Sequence, residues 1–149
     1  MKHFMPPNRA ELTFAGPAHP ECLDAIHELM GRLWQAETGV TDTDRMMFTT
    51  AVLEVANNIV THNRARSGVS ISLALTADPI ALRAEFCDDG SPAAVDLDTA
   101  ALPGDSAESG RGLAIARMAL DELGYERGKE VNRWRLARHR SASSNSPSN

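Results

Sequence analysis

The sequence predicts an α+β fold, a two-layer sandwich in which a mixed, mostly antiparallel sheet carries its helices on one face. Two long segments have apolar residues at helical intervals, and two pairs of short segments alternate apolar with polar residues as hairpin strands do. The predicted elements follow the order strand, helix, helix, hairpin, loop, helix, hairpin. With 149 residues, the chain has the length of one domain with one core.

The first half of the chain is predicted to form one strand and two helices. Residues 11–15 alternate as a short strand would, and a Gly-Pro pair ends this strand. An amphipathic helix is predicted from about residue 20 to residue 36. A second, longer helix extends to about residue 63, and Thr41 with the residues after it can cap its first turn.

The middle of the chain is predicted to form a hairpin followed by a long loop. Residues 69–75 alternate, and a turn at Asp78-Pro79 leads to a partner strand whose apolar row ends in Asp88. Residues 90–109 are rich in Ser, Pro, Ala, Asp and Gly and show little periodicity. Because loops of this length are usually functional, we expect a mobile lid here.

The last part of the chain is predicted to contain a helix and a closing hairpin. Helical spacing runs from residue 112 to residue 123, and Gly124 is expected to end the helix. A hairpin around Gly128 follows. The predicted organisation is a flexible leader, one folded domain and a disordered tail, at residues 1–9, 10–139 and 140–149.

Composition and charge narrow the classes of function. A formal net charge of −5 and a pI of about 5.5 argue against direct nucleic-acid binding, which needs a basic face. Two cysteines, Cys22 and Cys87, are too few for a disulfide framework, so we expect free thiols in the cytoplasm. No segment approaches the roughly 20 apolar residues of a membrane span, so no membrane association is predicted.

Three polar residues stand at four-residue steps on the second predicted helix. Glu54, Asn58 and His62 therefore lie along one face of an otherwise apolar element. Taken alone, this spacing is better explained by a solvated helix edge, because such spacings arise by chance in many helices. His62 carries less weight than the other two, because a histidine at a helix end is more often structural.

Two glycine-containing motifs follow. Asp88-Asp89-Gly90 ends a strand, where a β-turn is the simple explanation. Ser109-Gly110-Arg111-Gly112 opens a helix. It is either a flexible hinge or a loop whose N–H groups and helix-dipole end hold phosphate. Glycine suits the second role because a side chain would keep phosphate oxygens away from the backbone.

Together, the order and spacing of these motifs are specific. The motifs at residues 54–62, 88–90 and 110–113 resemble those of the GHKL superfamily of ATPases and kinases. The resemblance is closest to the anti-sigma-factor serine/threonine kinases of bacterial partner-switching systems. It covers about residues 12–137, and the last-strand pattern at residues 132–136 is similar as well. The resemblance implies the histidine-kinase-like ATP-binding fold.

The resemblance also implies a role for each motif residue. Asn58 would ligate Mg²⁺, which bridges the phosphates of ATP, and Asp88 would accept a hydrogen bond from the adenine amino group. Glu54 would be the general base for the serine hydroxyl of a partner protein. The other positions implied in nucleotide binding are Gly90, Gly110, Arg111, Gly112, Leu113 and His62.

The implied partners belong to a partner-switching circuit. They are a STAS-domain anti-anti-sigma protein, a sigma factor or similar target, and a second copy of the chain in a homodimer.

Ser91-Pro92 departs from the wider superfamily, in which many members have a second glycine at this position. The departure is expected to make the entry to the lid stiffer. Arg111 either meets the terminal phosphate or points to solvent. The alternative function is a regulatory module that binds ATP and a partner without phosphoryl transfer.

Overall fold

The structure, a computed structural model, describes residues 10–93 and 107–142. Within them, five strands and three helices follow the predicted order. Their bounds are β1 Ala10–Pro17, α1 Glu21–Ala36, α2 Asp42–His62, β2 Ser70–Ala77, β3 Ala81–Asp88, α3 Ala107–Ala119, β4 Glu122–Arg127 and β5 Asn132–His139. The predicted leader, most of the predicted lid and the end of the predicted tail lie outside the described residues.

The five strands form one sheet in the order β1-β2-β3-β5-β4. All four strand pairings are antiparallel, so the described sheet is antiparallel throughout and not mixed. At its centre, Phe86 of β3 stands opposite Leu73 of β2 on one side and Trp134 of β5 on the other. The predicted α+β fold class is confirmed.

The two layers follow from the alternation of side chains along the strands. In β3, Leu82, Ala84 and Phe86 are buried, whereas Arg83 and Glu85 between them are exposed. The buried rows of the strands join apolar residues of all three helices in one core. The helices therefore cover one face of the sheet, and polar residues occupy the other. Among the described helices, none is both long and apolar enough to span a membrane.

The start of α2 is anchored from two directions. The Thr41 hydroxyl accepts a hydrogen bond from the backbone N–H of Asp44 at 3.1 Å, so the predicted cap is present. The Asp44 carboxylate has no exposed surface and accepts bonds from Arg138 Nε at 2.8 Å and from the Ser141 backbone N–H at 2.7 Å. These contacts fix the helix that carries the first polar motif.

The ordered chain continues past the predicted domain boundary at residue 139. The Arg140 guanidinium donates to Glu37 Oε1 at 3.1 Å and to the carbonyl oxygen of Asp78 at 2.7 Å. Ser141 is bonded to Asp44 as described above. Arg140 and Ser141 therefore belong to the folded body, because long-range polar contacts hold a segment whose composition predicts disorder.

The third helix and the strand after it differ from the prediction. A helix was expected over residues 112–123, but α3 ends at Ala119, and Leu123 and Gly124 belong to β4. The leucine spacing here fits either a helix or a strand, and pairing with β5 decides, since Leu123 stands opposite Leu136. The glycine motif also lies inside α3 and not in a loop before it.

Candidate functional site

A cavity of about 360 Å³ lies between α2 and α3. Residues three or four apart on α2 share one face of the helix, and this face forms one wall. The lining residues are Glu54, Asn57, Asn58, Thr61 and Arg64 on the α2 side and Arg111, Gly112 and Ile115 on α3. The first and third sequence motifs therefore meet in one cavity, although they are far apart in the chain.

Gly112 lies directly against the Glu54 carboxylate. A Cβ atom added to Gly112 would stand 2.5 Å from Glu54 Oε1, closer than real Cβ contacts come. Gly112 is buried and Glu54 is half-buried. A larger residue at this position would therefore force the Glu54 carboxylate to move from its place in the wall.

Charged side chains of both signs line the cavity. Among the described lining residues, Glu54 is the one acid, while Arg64 and Arg111 are basic and exposed. Neither guanidinium has an ion-pair or hydrogen-bond partner among the described residues. A polyphosphate would supply such partners, because the planar guanidinium binds phosphate through two parallel hydrogen bonds.

Asn58 lines the same cavity, and its side-chain amide contains an oxygen that can ligate a metal ion. Mg²⁺ prefers oxygen ligands and usually takes only one or two from the protein, with phosphates and water supplying the others. The described part of the chain contains no group of three or more His, Cys, Asp or Glu side chains that could hold a metal ion. The described residues therefore fit a site in which Asn58 and a bound nucleotide together ligate Mg²⁺. They do not form a site in which protein side chains alone surround the metal ion.

Asp88, at the end of β3, is only 3% exposed. Its Oδ1 atom accepts hydrogen bonds from the backbone N–H of Gly90 and from Asn132 Nδ2, both at 2.9 Å. Its Oδ2 atom has no hydrogen-bond partner among the described residues. That second oxygen can accept a hydrogen bond from a ligand beside β3.

The turn after β3 is seated on the end of α2. A Cβ atom added to Gly90 would stand 2.1 Å from Asn63 Oδ1 and 2.7 Å from Asn63 Cγ. Asn63 is 2% exposed, and its Nδ2 donates to the carbonyl oxygen of Ile59 at 2.9 Å, so it has little room to move. The absence of a side chain at Gly90 thus lets the Asp88 motif lie next to the helix that carries the first motif.

Sequence reasoning missed a polar cluster on the hairpin of β4 and β5. Asn132 is 1% exposed and donates to both Asp88 Oδ1 and the carbonyl oxygen of Ser91, each at 2.9 Å. Its own side-chain oxygen accepts from the Tyr125 hydroxyl and from Arg127 Nη1. One feature of the sequence could have indicated this cluster. By strand alternation, Asn132 lies on the same buried face of β5 as Trp134 and Leu136, and a buried amide needs hydrogen-bond partners.

Five of the nine predicted site residues are not among the described residues that line the cavity: Asp88 and Gly90, whose contacts are given above, and His62, Leu113 and Gly110. His62 is exposed, and its Nε2 lies 3.3 Å from the carbonyl oxygen of Pro92 and 3.5 Å from Ser91 Oγ. His62 therefore contacts the start of the predicted lid. Leu113 is 5% exposed and packs in the core, and Gly110 lies in α3 shortly before the cavity residues.

The fold and the sequence have known relatives. The fold is similar to the crystal structure of the RsbU and RsbW domains of Rv1364c from Mycobacterium tuberculosis, with a TM-score of 0.60 and 22% sequence identity. The match covers 90% of this chain and 34% of that chain, so this protein spans about a third of its neighbour. No curated protein is significantly similar in sequence. Residues 16–138 match the histidine kinase-like ATPase domain, and the chain therefore belongs to that family of ATP-binding domains, as the GHKL resemblance predicted.

Proposed function

We propose that this protein is an ATP-dependent serine/threonine protein kinase, similar to anti-sigma factors, that phosphorylates a serine of a STAS-domain anti-anti-sigma partner. The arrangement of α2 and α3 around one cavity carries this proposal. Glu54 and Asn58 lie one turn apart on one wall, and Arg111 lies on the other. A carboxylate, a metal-binding amide and an arginine in one cavity are the groups that phosphoryl transfer needs.

The adenine base would bind beside β3. There, Asp88 Oδ2 would accept a hydrogen bond from the exocyclic amino group. Because Asp88 is buried, a base with a carbonyl at that position would leave two acceptors facing each other without a donor. Sites built in this way reject the wrong partner strongly, so we expect ATP to be preferred over GTP.

The triphosphate would lie in the cavity between α2 and α3. Arg64 and Arg111 would bind phosphate oxygens, and the first turn of α3, which contains Gly110, would direct backbone N–H groups toward them. Asn58 would ligate Mg²⁺, which offsets the phosphate charge when it is bound. Leu113 would support this region from the core, and His62 would act on the lid entry, where it contacts Pro92.

Glu54 would act on the hydroxyl group of the partner's serine. Because Glu54 lies one helical turn from Asn58 in the same cavity, its carboxylate would lie near a triphosphate bound there. Glu54 would accept the hydroxyl proton while the serine oxygen bonds to the γ-phosphorus. The bond between that phosphorus and the β–γ bridging oxygen breaks, and ADP leaves.

Phosphorylation would then change which partner is bound. The new phosphate adds a charge of about −1.5 to −2 to the partner's serine. In the proposed complex, this serine faces the kinase, which itself carries a formal net charge of −5. Repulsion would release the phosphorylated partner and free the protein for a sigma factor or similar target. The fold similarity to RsbU and RsbW domains supports this choice of branch, and a cytoplasmic homodimer is part of the same proposal.

Transfer of labelled γ-phosphate to purified STAS-domain proteins tests the proposal. We expect the parent protein to label a serine of one of them and Glu54→Ala to bind ATP with parental affinity. The rate of transfer in this variant should fall by about 10²–10⁴-fold, the usual cost of removing a general base. Glu28→Ala, which removes an exposed glutamate of α1, is the matched control and should keep the parental rate.

Two results would contradict the kinase proposal in different ways. If Glu54→Ala transfers phosphate at the parental rate, Glu54 is not the base. If the parent binds ATP and a partner but labels none of the candidates, the protein is the regulatory binding module that the sequence left open.

A further inference from the structure

We propose that Asn132 determines the base preference of the nucleotide site by holding Asp88 in one orientation as a hydrogen-bond acceptor. This inference rests on the proposed function, because it concerns the same nucleotide. Asn132 does not reach the base itself in this proposal. It is a positioning residue that acts through Asp88.

The orientation of the Asn132 amide is fixed from both ends. Nδ2 faces two acceptors, Asp88 Oδ1 and the carbonyl oxygen of Ser91, each at 2.9 Å. Oδ1 faces two donors, the Tyr125 hydroxyl and Arg127 Nη1, the latter at 3.2 Å. A reversed amide would set oxygen against oxygen at Asp88 and at Ser91 and N–H against N–H at Arg127, so only one orientation is stable.

This orientation determines what Asp88 presents to a ligand. Asp88 Oδ1 receives hydrogen bonds from Asn132 and from the backbone N–H of Gly90, and both groups are donors only. The carboxylate plane is thereby fixed, and Oδ2 remains as an acceptor. Adenine offers an amino donor at its 6-position, whereas guanine carries a carbonyl there, so the arrangement favours adenine.

The hairpin of β4 and β5 supplies the outer support for Asn132. The Tyr125 ring packs on Trp134 with centroids 4.7 Å apart, and its hydroxyl oxygen also accepts the backbone N–H of Ala93 at 2.9 Å. Arg127 Nη1 also donates to the carbonyl oxygen of Gly90 at 2.8 Å. The side chains that orient Asn132 therefore also hold the segment that follows Asp88.

The experiment compares ATP and GTP affinity in two variants by calorimetry, with thermal unfolding measured alongside. Asn132→Asp has nearly the same shape but would place a carboxylate oxygen where Nδ2 now donates to Asp88, so the two acids would have to share a proton or separate. Loss of a hydrogen bond to a charged group corresponds to about a 10–100-fold loss in affinity. We therefore expect ATP affinity to fall by at least about ten-fold, and the ATP-to-GTP preference to shrink by a similar factor.

Tyr125→Phe keeps the ring on Trp134 and removes one donor to Asn132, so it tests the same idea if the first variant does not fold. It should shift the ATP-to-GTP preference in the same direction by a smaller factor.

If Asn132 had a purely structural role, its replacement would lower the affinity for ATP and for GTP by the same factor. If both nucleotides weaken equally, or if neither variant changes the preference while the parent favours ATP, Asn132 does not set the base preference and the proposed function stands. If the parent binds no nucleotide, the proposed function fails and this inference fails with it.

Discussion

Replacement of Asp44 by asparagine should destabilise the protein substantially without touching the cavity. The carboxylate is fully buried and holds the C-terminal segment against the start of α2. It accepts hydrogen bonds from Arg138 Nε at 2.8 Å, the Ser141 N–H at 2.7 Å and the Ser141 hydroxyl at 3.2 Å. The substitution would remove the charge and set an amide N–H₂ against at least one of these donors.

The expected magnitude follows from the burial of the pair. Removing one partner of a buried ion pair costs about 3–5 kcal/mol, because the other charge is left uncompensated. The Arg138 side chain is 18% exposed to solvent, and in the variant it would still donate to the carbonyl oxygen of Ala119 at 2.8 Å. Because its charge would stay partly solvated and hydrogen-bonded, we expect the loss of stability to be at the lower end of that range, about 3 kcal/mol. For a domain of this size, that loss lowers Tm by roughly 6–12 °C.

The pH dependence has a definite sign. Burial favours the neutral form of the Asp44 carboxyl, but hydrogen bonds from Ser141, Arg138 and Thr41 outweigh burial and lower its pKa below the ordinary value of 3.8. The unfolded chain therefore binds this proton more readily than the folded protein does. The stabilisation is complete above about pH 4 and is lost as the pH falls through the folded-state pKa. The difference between parent and variant should shrink in that acidic range.

Urea and thermal unfolding at pH 7 and below pH 4 measure both effects. Asp42→Asn is the matched control, because Asp42 is exposed in the same first helical turn and its replacement changes the charge equally. We expect the control to cost less than about 1 kcal/mol, the usual size of a helix-dipole contribution. Equal destabilisation by the two substitutions would refute the argument that the buried contacts of Asp44 matter.

Three further substitutions probe the site. Gly112→Ala should slow phosphoryl transfer more than it weakens ATP binding, because its Cβ would stand 2.5 Å from Glu54 Oε1 and displace the carboxylate. An unchanged single-turnover rate would contradict this prediction. Gly90→Ala should lower the free energy of unfolding by about 1–3 kcal/mol, because its Cβ would stand 2.1 Å from Asn63 Oδ1. An unchanged urea midpoint would show that the turn after β3 can shift to accept the methyl group. Asn58→Ala should abolish the Mg²⁺ dependence of ATP affinity in calorimetry, and a dependence that persists would locate the metal ligand elsewhere.

Most elements of the fold could be predicted because periodicity depends on near neighbours in the chain. The alternation of β3 and the Thr41 cap of α2 were both predicted and are both present. The prediction failed at residues 120–124, where leucine spacing fits two periods. Hydrogen bonds to β5 decided that segment, and no local pattern contains them.

The site was predictable only as a set of residues and not as an arrangement. The motif order identified Glu54, Asn58 and Asp88, and their binding and catalytic roles stay predictions. His62 was grouped with them because it continues the same helical face. His62 is the last residue of α2, however, and its ring contacts Pro92 at the start of the predicted lid and does not line the cavity. Arg64, which does line the cavity, lies beyond the end of α2, where a helical period no longer applies.

The sequence by itself determined the fold class and the family, because periodicity and motif order are properties of the chain, and it named a set of candidate site residues. Only the tertiary structure decided which side chains surround those residues. Asn132 meets Asp88 across 44 residues because β3 pairs with β5, and Asn63 meets Gly90 because the turn after β3 packs on the end of α2. Such contacts depend on strand register and helix packing, which bring together residues that no spacing in the sequence relates.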